Sequence, residues 1–412
     1  MSVDDAALPP LRRPEFRNLL GVSVTVALGF GMVIPILPLF ARSFGVGLAA
    51  VGLVQLAFGL ARFVSNLAAG LAVDRFGERA STIAGLLIVS LSSYGAGAAQ
   101  SFWQLVAARG IGGAGSALFM AGLMNRILRI VEPEMMGRAT GAFRSSFLVG
   151  IAAGPFLGGI VATRFGRAAP LHFYATGLLV AAVVAWIAMR GPVVRRATER
   201  RSPMEALRAA APLVHDVRYA VALLATFVGW WSLAAVQNIG AVLALERLGF
   251  SEDLVGLATT LLAVGEIGVL LVAGRVADRR GRRIVLLPSL AVAALATAAL
   301  GHVEGEPALY FVFMMLVGAG VSAGGVAAGG LLADAIPREG SGTAVGVNQM
   351  AGDLGYLLAP FLIGALADGP GFPVAFLVAA LPAAFVFVRA LQLPRRSHAP
   401  GRPAVEPSEP VG

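Results

Sequence analysis

Twelve membrane-crossing helices in two pseudo-symmetric six-helix halves is the all-α fold class that this sequence predicts, and three observations predict it. The chain is 57% apolar and 13% charged, carries 52 glycines and has a mean hydropathy of +0.80. Its apolar runs last about 20 residues, enough to cross a ~30 Å hydrocarbon layer. The decapeptide GLAVDRFGER at 70–79 returns as GRVADRRGRR at 274–283, 204 positions later (70 to 274).

Helices are favoured over a barrel because the runs are continuously apolar and do not alternate, and only helices or closed barrels satisfy their backbone inside lipid. Apolar runs and breakers place spans 1 to 12 at 18–40, 49–71, 81–100, 102–125, 141–163, 171–189, 219–243, 253–273, 284–301, 308–331, 343–366 and 373–393. The implied organisation is a cytoplasmic N-terminus (1–17), a first half (18–189), a linker (190–218), a second half (219–393) and a disordered cytoplasmic tail (394–412).

All 32 basic residues are Arg, and the formal charge is +9. A pI near 11.1 taken alone suggests nucleic-acid binding, but the positions of the arginines decide against it. Twenty-five fall in the termini, the 2/3, 4/5, 6/7, 8/9 and 10/11 connectors and, for Arg389, the adjoining end of span 12, and the opposite connectors hold only Arg42, Arg164, Arg167 and Arg247. The positive-inside rule then puts both termini in the cytoplasm. The chain has no Cys, which excludes disulfides and thiolate chemistry, and residues 1–17, with Asp4, Asp5 and three prolines, do not read as a cleavable signal. An Ala/Gly-rich, all-Arg composition points to a GC-rich bacterium and its inner membrane. The expected partners are the lipid bilayer and a small-molecule substrate, with no nucleic acid, no cofactor beyond a proton gradient, no metal, and a monomeric state. The linker reads as cytoplasmic with a short interfacial helix over 203–211; a site for a regulatory partner is the alternative.

A second pair of segments supports the duplication. GIAAGPFLGG from Gly150 aligns with GYLLAPFLIG from Gly355 at an offset of 205 (150 to 355). Parallel repeats of this kind build many secondary transporters, with the substrate site near mid-membrane between them.

Together these residues resemble the major facilitator superfamily over essentially the whole chain. GLAVDRFGER resembles the family's signature G-x-L-x-D-R-x-G-R-[RK] between spans 2 and 3, except that Glu78 stands where a basic residue is usual; GRVADRRGRR is its echo. GIAAGPFLGG fits G-x-x-x-G-P-x-x-G-G, PILP at 35–38 resembles P-x-x-P, and RGIGGAG from Arg109 resembles R-x-x-x-G, three patterns that go with the twelve-helix drug:H+ antiporter branch. The resemblance implies an MFS fold and proton-coupled efflux of amphipathic compounds. It assigns gating to Gly70, Asp74, Arg75, Gly77 and Arg79 and to Asp278, Arg279 and Gly281, with Asp74 latching onto the start of span 11 around 340–343. On physical grounds the loop is equally a solvated positive-inside turn, its glycines supplying tight geometry. Gly150, Gly154, Pro155, Gly158 and Gly159 form the antiporter motif by resemblance; by spacing alone they are a small-residue packing face with a proline bend.

Five charges lie well inside the spans, Arg62, Arg109, Arg144, Glu266 and Asp353. Each costs at least ~2.5–3.5 kcal/mol at a helix centre, which makes it a functional candidate. Arg62 and Glu266 are repeat mates of opposite sign. In the resembled fold span 2 faces span 11 and span 5 faces span 8, which pairs Arg62 with Asp353 and Arg144 with Glu266. These five are the proton-coupling candidates, the two carboxyls being the titrating ones; fixed structural ion pairs are the alternative. Arg109 is open between a proton relay, a substrate contact and a plain hydrogen-bond donor. For the cavity wall the expectation is Trp230, Trp231, Gln237 and Asn238 in span 7 with Asn348 and Gln349 in span 11, although helix packing is an equal reading for one of the two tryptophans. A nucleotide-driven pump is excluded by the lack of a phosphate loop and of any Lys. An enzyme is excluded by four scattered His with no catalytic constellation, and a channel or receptor by loops too short to build a ligand domain. Uptake or export of a sugar, amino acid or other metabolite is the alternative within transport.

Overall fold

The computed structural model describes residues 13–131, 135–190, 216–336 and 341–393; the side chains of 128, 136, 137, 140, 144 and 341–343 lie outside it. The linker helix expected over 203–211 and the tail from 394 also lie outside the described residues. Every regular element described is helical, and twelve helices are long and apolar enough to cross a membrane. They are Pro14–Arg42, Leu48–Phe76, Glu78–Gly97, Phe102–Ile127, Gly141–Phe165, Ala169–Ala188, Val217–Arg247, Glu252–Arg280, Arg282–Leu300, Pro307–Ala335, Ala344–Asp368 and Phe372–Ala390, spans 1 to 12. Span 1 begins at Pro14, inside the stretch expected to be a tail, because proline is tolerated at the first helical turn.

The duplication reaches down to single turns. Gly77 and Gly281 hold φ of 87° and 99° after spans 2 and 8, and Gly166 and Gly371 hold 88° and 94° after spans 5 and 11. Such left-handed conformations favour Gly, so Gly77 and Gly281 of the two decapeptides are there for the turn.

Spans 1 and 7, the first of each half, are both interrupted at the same depth. Span 1 breaks between helices Pro14–Val33 and Ile36–Arg42, where Pro35 supplies no amide. Span 7 instead relaxes into a π-helical turn, Val236–Gly240, between Val217–Ala235 and Ala241–Arg247. Ile34 and Asn238 are 204 apart (34 to 238), so proline and π-turn are two chemical routes to one irregularity.

Small residues set the helix packing within each half. A Cβ on Gly150, Gly154 or Gly158 of span 5 would overlap the span 1 backbone at 28–32, and a Cβ on Gly355 would overlap Phe227 O of span 7. One apolar cluster runs through the first half and into the second at the face remote from the termini; a separate cluster, including Tyr219, Leu286, Leu331 and Val386, fills the other end of the second half. Among the described residues, the two halves thus share a core at one face only.

Candidate functional site

Among the described residues, every hydrogen bond and ion pair that crosses between the halves lies toward the face opposite the Arg-rich connectors. Asp368, ending span 11, accepts the amide N–H groups of Leu48 and Ala49 at the start of span 2, at 2.7 and 2.8 Å. In the matching position Thr163 Oγ1 accepts the Asp253 N–H at 3.2 Å, where span 5 meets span 8. Arg167 bonds Glu252 at 2.8 Å, and the Thr260 hydroxyl accepts the Phe156 N–H at 3.1 Å. Glycines let the backbones close: Gly159 lies against Glu252 and Asp253, Gly256 against Pro155, Gly364 against Leu48, and Gly52 against Pro360. Arg42 and Glu246 form an ion pair at 2.5 Å across the interface. They are 204 residues apart, so each is the other's repeat mate and the pair sits at the pseudo-two-fold axis.

Beneath this seal is the apex of a chamber between the halves, lined by Phe30, Val33, Ile34, Leu37, Gln55, Arg109, Asn238 and Tyr356. At 1.5 Å per residue, Gln55 and Arg109 lie about 10 Å below the starts of spans 2 and 4. Both helix interruptions open onto it. The Asn238 amide donates to Ala234 O at 2.9 Å, covering a carbonyl in the turn the π-bulge disturbs. Arg109 is 1% exposed, its guanidinium carbon stands 4.4 Å from the Phe58 ring centroid, and its Nε and Nη1 have no hydrogen-bond partner among the described residues. The ionisable groups near it are the phenols of Tyr174 and Tyr356.

Several expected site residues sit elsewhere. Trp231 is buried at 6%, stacks on Phe227 and donates Nε1 to Ala379 O at 3.0 Å; it is a packing residue, not chamber wall. Its neighbour Trp230 is 41% exposed and meets Tyr356 edge-on at 5.8 Å. Gln237 is buried within the π-turn, Asn348 accepts from the Thr226 hydroxyl at 3.0 Å, and Gln349 donates to Asp353 at 3.2 Å. The expected Arg62–Asp353 ion pair is not formed in this structure. Both side chains are exposed, and spans 2 and 11 meet through backbone at Gly52 and Gly364 and through the Leu357 side chain by Gly59. Arg144 lies outside the described side chains, and Glu266, half-buried in span 8, has no ion partner among the described residues. Gln55 and Tyr356 were not singled out from sequence; listing every amide and phenol inside a span would have found them.

The decapeptide loops divide their work. The segment expected to receive Asp74, 340–343, lies outside the described backbone or side chains. Arg75 lies against the Phe76 ring, 5.4 Å from its centroid, while Arg79 donates to Trp186 O at 2.8 Å, tying the loop to span 6 of its own half. Asp278 pairs with Arg282, whose Nε also stands 3.6 Å from Asp334. Glu78, the departure from the signature, is 1% exposed and faces Arg129 Nε at 2.6 Å and Arg126 Nη1 at 3.7 Å; Arg126 in turn holds Glu15 at 2.6 Å.

The profile of the Major Facilitator Superfamily matches residues 19–245 and again 219–411. The chain belongs to the major facilitator superfamily. It is 24% identical over 368 residues to "Multidrug resistance protein 2" of Bacillus subtilis, covering 86% of this chain and 88% of that one. It is 25% identical over 389 residues to "Multi-drug resistance efflux pump PmrA" of Streptococcus pneumoniae, covering 91% and 93%. Among solved structures, the nucleoside transporter NupG superposes with a TM-score of 0.77 at 15% identity, covering 92% of this chain and 100% of that one. A bacterial homologue of the lysosomal transporter Spinster, described as inward-facing and unoccupied, superposes at 0.73 with 16% identity, covering 93% and 98%. At such identities these structures speak to the fold alone.

Proposed function

We propose that this superfamily member is a secondary active transporter of a bacterial inner membrane that exports small amphipathic compounds in exchange for protons. The observation that carries the reading is a chamber between two halves whose hydrogen bonds and ion pairs to one another, among the described residues, gather at one face. Rocking the halves about that joint exposes the chamber to each side in turn. The Arg-rich face is cytoplasmic by the positive-inside rule, so the structure corresponds to the state that loads cargo from the cytoplasm. The substrate class rests on the similarity, over about nine-tenths of the chain, to proteins named for multidrug resistance, and on aromatic and amide side chains at the apex, which suit apolar bodies carrying a few polar groups. Glu266 and Asp353 are the proton carriers in this reading, with Arg62, Arg109 and Arg144 as the cations whose occupancy answers to them. The decapeptide loop gates the cytoplasmic face through Asp74.

The test is transport in proteoliposomes with an imposed pH gradient. From a panel of lipophilic cations, organic anions and antibiotics added to the Arg-rich side, at least one compound should release protons from the lumen through wild-type protein, and Glu266→Gln and Asp353→Asn should each abolish the flux. Substrate movement that ignores the pH gradient, or full coupling in both variants, would overturn the proposal.

A further inference from the structure

Arg109 is a charge that the fold does not need. Gly113, one turn further along span 4, packs against Phe58 O of span 2, and at the repeat position Gly318 of span 10 packs against Leu262 O of span 8 (113 to 318, 58 to 262). The same joint is therefore built twice. In the second copy Arg109 is replaced by Met314, buried at 1%, and Phe58 by Leu262. A thioether closes the joint where a guanidinium does in the first half, so packing does not explain a cation whose burial in a membrane is costly.

Nor is the charge compensated from within. The Phe58 ring meets one face of the guanidinium, but a cation–π contact leaves the in-plane N–H donors unsatisfied. Among the described residues Nε and Nη1 have no partner, and the ionisable neighbours are phenols. Arg109 lines a chamber whose other polar groups are the amides of Gln55 and Asn238 and the hydroxyl of Tyr356, with Phe30, Val33, Ile34 and Leu37 completing an apolar wall. The Asn238 amide nitrogen is already used by Ala234 O, while Gln55 keeps its N–H groups for a second donor beside Arg109.

We propose that Arg109 receives a carboxylate of the cargo, and that the compounds carried are organic anions or zwitterions with an aromatic or apolar body. The carboxylate takes charge-assisted hydrogen bonds from Arg109 and the Gln55 amide, and the body lies against Phe30, Ile34 and Tyr356. The inference deepens the export reading by naming its substrate class, and it rests on that reading for the identity of the bound compound as cargo. A free inorganic anion presents the same charge without the body, so the test separates the two.

The experiment compares 1-naphthoate with 1-naphthamide, equal in shape and differing in charge, on the purified full chain in nanodiscs without any gradient. Wild type should bind naphthoate at least ~10-fold more tightly, the scale of one charge-assisted hydrogen bond. Arg109→Met, the residue the second half uses at this joint, should elute and melt like wild type and lose the preference; Arg109→Lys should keep part of it. Chloride and acetate should compete at least ~10-fold more weakly than naphthoate, because they fill none of the apolar wall. Equal binding of the two naphthyl probes to wild type, binding of neither, a preference that survives in Arg109→Met, or displacement by chloride as effective as by naphthoate would each overturn the assignment; the comparison on wild type stands even if the variants do not fold. Proton-driven export without carboxylate preference would sink this inference alone. Carboxylate-selective binding without proton-driven export would sink the export reading alone.

Discussion

Replacing Glu78 by Arg would bring the decapeptide to the pattern of its family, and substitutions toward a family pattern commonly stabilise. Here the reverse is expected. Glu78 is 1% exposed and sits 2.6 Å from Arg129 and 3.7 Å from Arg126. Removing one partner of a buried pair costs about 3–5 kcal/mol. Because the Arg129 side chain is 23% exposed and Arg126 keeps Glu15 as a partner, the lower end of that range, about 3 kcal/mol, applies to Glu78→Gln. A third guanidinium adds repulsion that reaches ~4 kcal/mol at 4 Å in a medium of effective dielectric 20. Partial escape of Arg129 to solvent cuts this to about 1 kcal/mol, so Glu78→Arg should cost about 4 kcal/mol in all. The assay is reversible unfolding in mixed micelles titrated with SDS, run as a double-mutant cycle in which Arg129→Glu, combined with Glu78→Arg, recovers about 2 kcal/mol. If Glu78→Arg proved as stable as wild type, or if the second substitution added its own cost without rescue, the compensated-swap reasoning would be wrong.

Two further outcomes follow from the joints between helices. Asp368→Asn leaves the start of span 2 with an uncharged acceptor in place of a carboxylate that takes two amide bonds, and should weaken the seal by about 1–2 kcal/mol, shifting roughly 5- to 30-fold of the population toward the state open at that face. The chain has no Cys among its residues, so spin labels on Leu71→Cys and Val345→Cys, both exposed near the Arg-rich ends of spans 2 and 11, report it cleanly; a shorter distance should gain weight in Asp368→Asn, and an unchanged distribution contradicts the latch. Gly113→Ala should cost about 1–3 kcal/mol because its Cβ overlaps the Phe58 carbonyl, whereas Gly325→Ala, with open space around it, should be neutral or slightly stabilising in the same SDS titration; equal effects would show that the span 2–span 4 joint is looser than described.

The parts of this fold written along one helix were legible, and the parts written between helices were not. Apolar run length placed all twelve spans, and the offset between Gly70 and Gly274 gave the two halves, because both signals need only the chain's own register. Pro35 of PILP sits at the break in span 1, a break not read from the sequence, and its counterpart in span 7 has no proline; a π-turn at 236–240 leaves no mark in composition. The partner of Glu78 lies on span 4 at no periodic distance, so the sequence shows the residue only as a departure from the signature. Trp231 and Trp230 are adjacent in sequence yet about 100° apart around a helix, and only the position of span 12, which offers Ala379 O, decides which one faces the chamber.

Where the repeat diverges in charge, three situations must be told apart. Arg42 and Glu246 are mates that touch each other. A faithful duplication would have set two like charges against one another at the axis, so opposite signs there are a condition for closing the seal. Glu78 with Arg129 and Arg282 with Asp334 are mates that never meet; each pair is complete within its half, and inverting both members together leaves packing unchanged. Arg62 and Glu266 fit neither case. They are mates of opposite sign, they do not touch, and neither is paired with another charge among the described residues. A charge difference that neither a seal nor an internal pair accounts for has to answer to something outside the fold. In the export cycle proposed above, that something is the proton or the cargo.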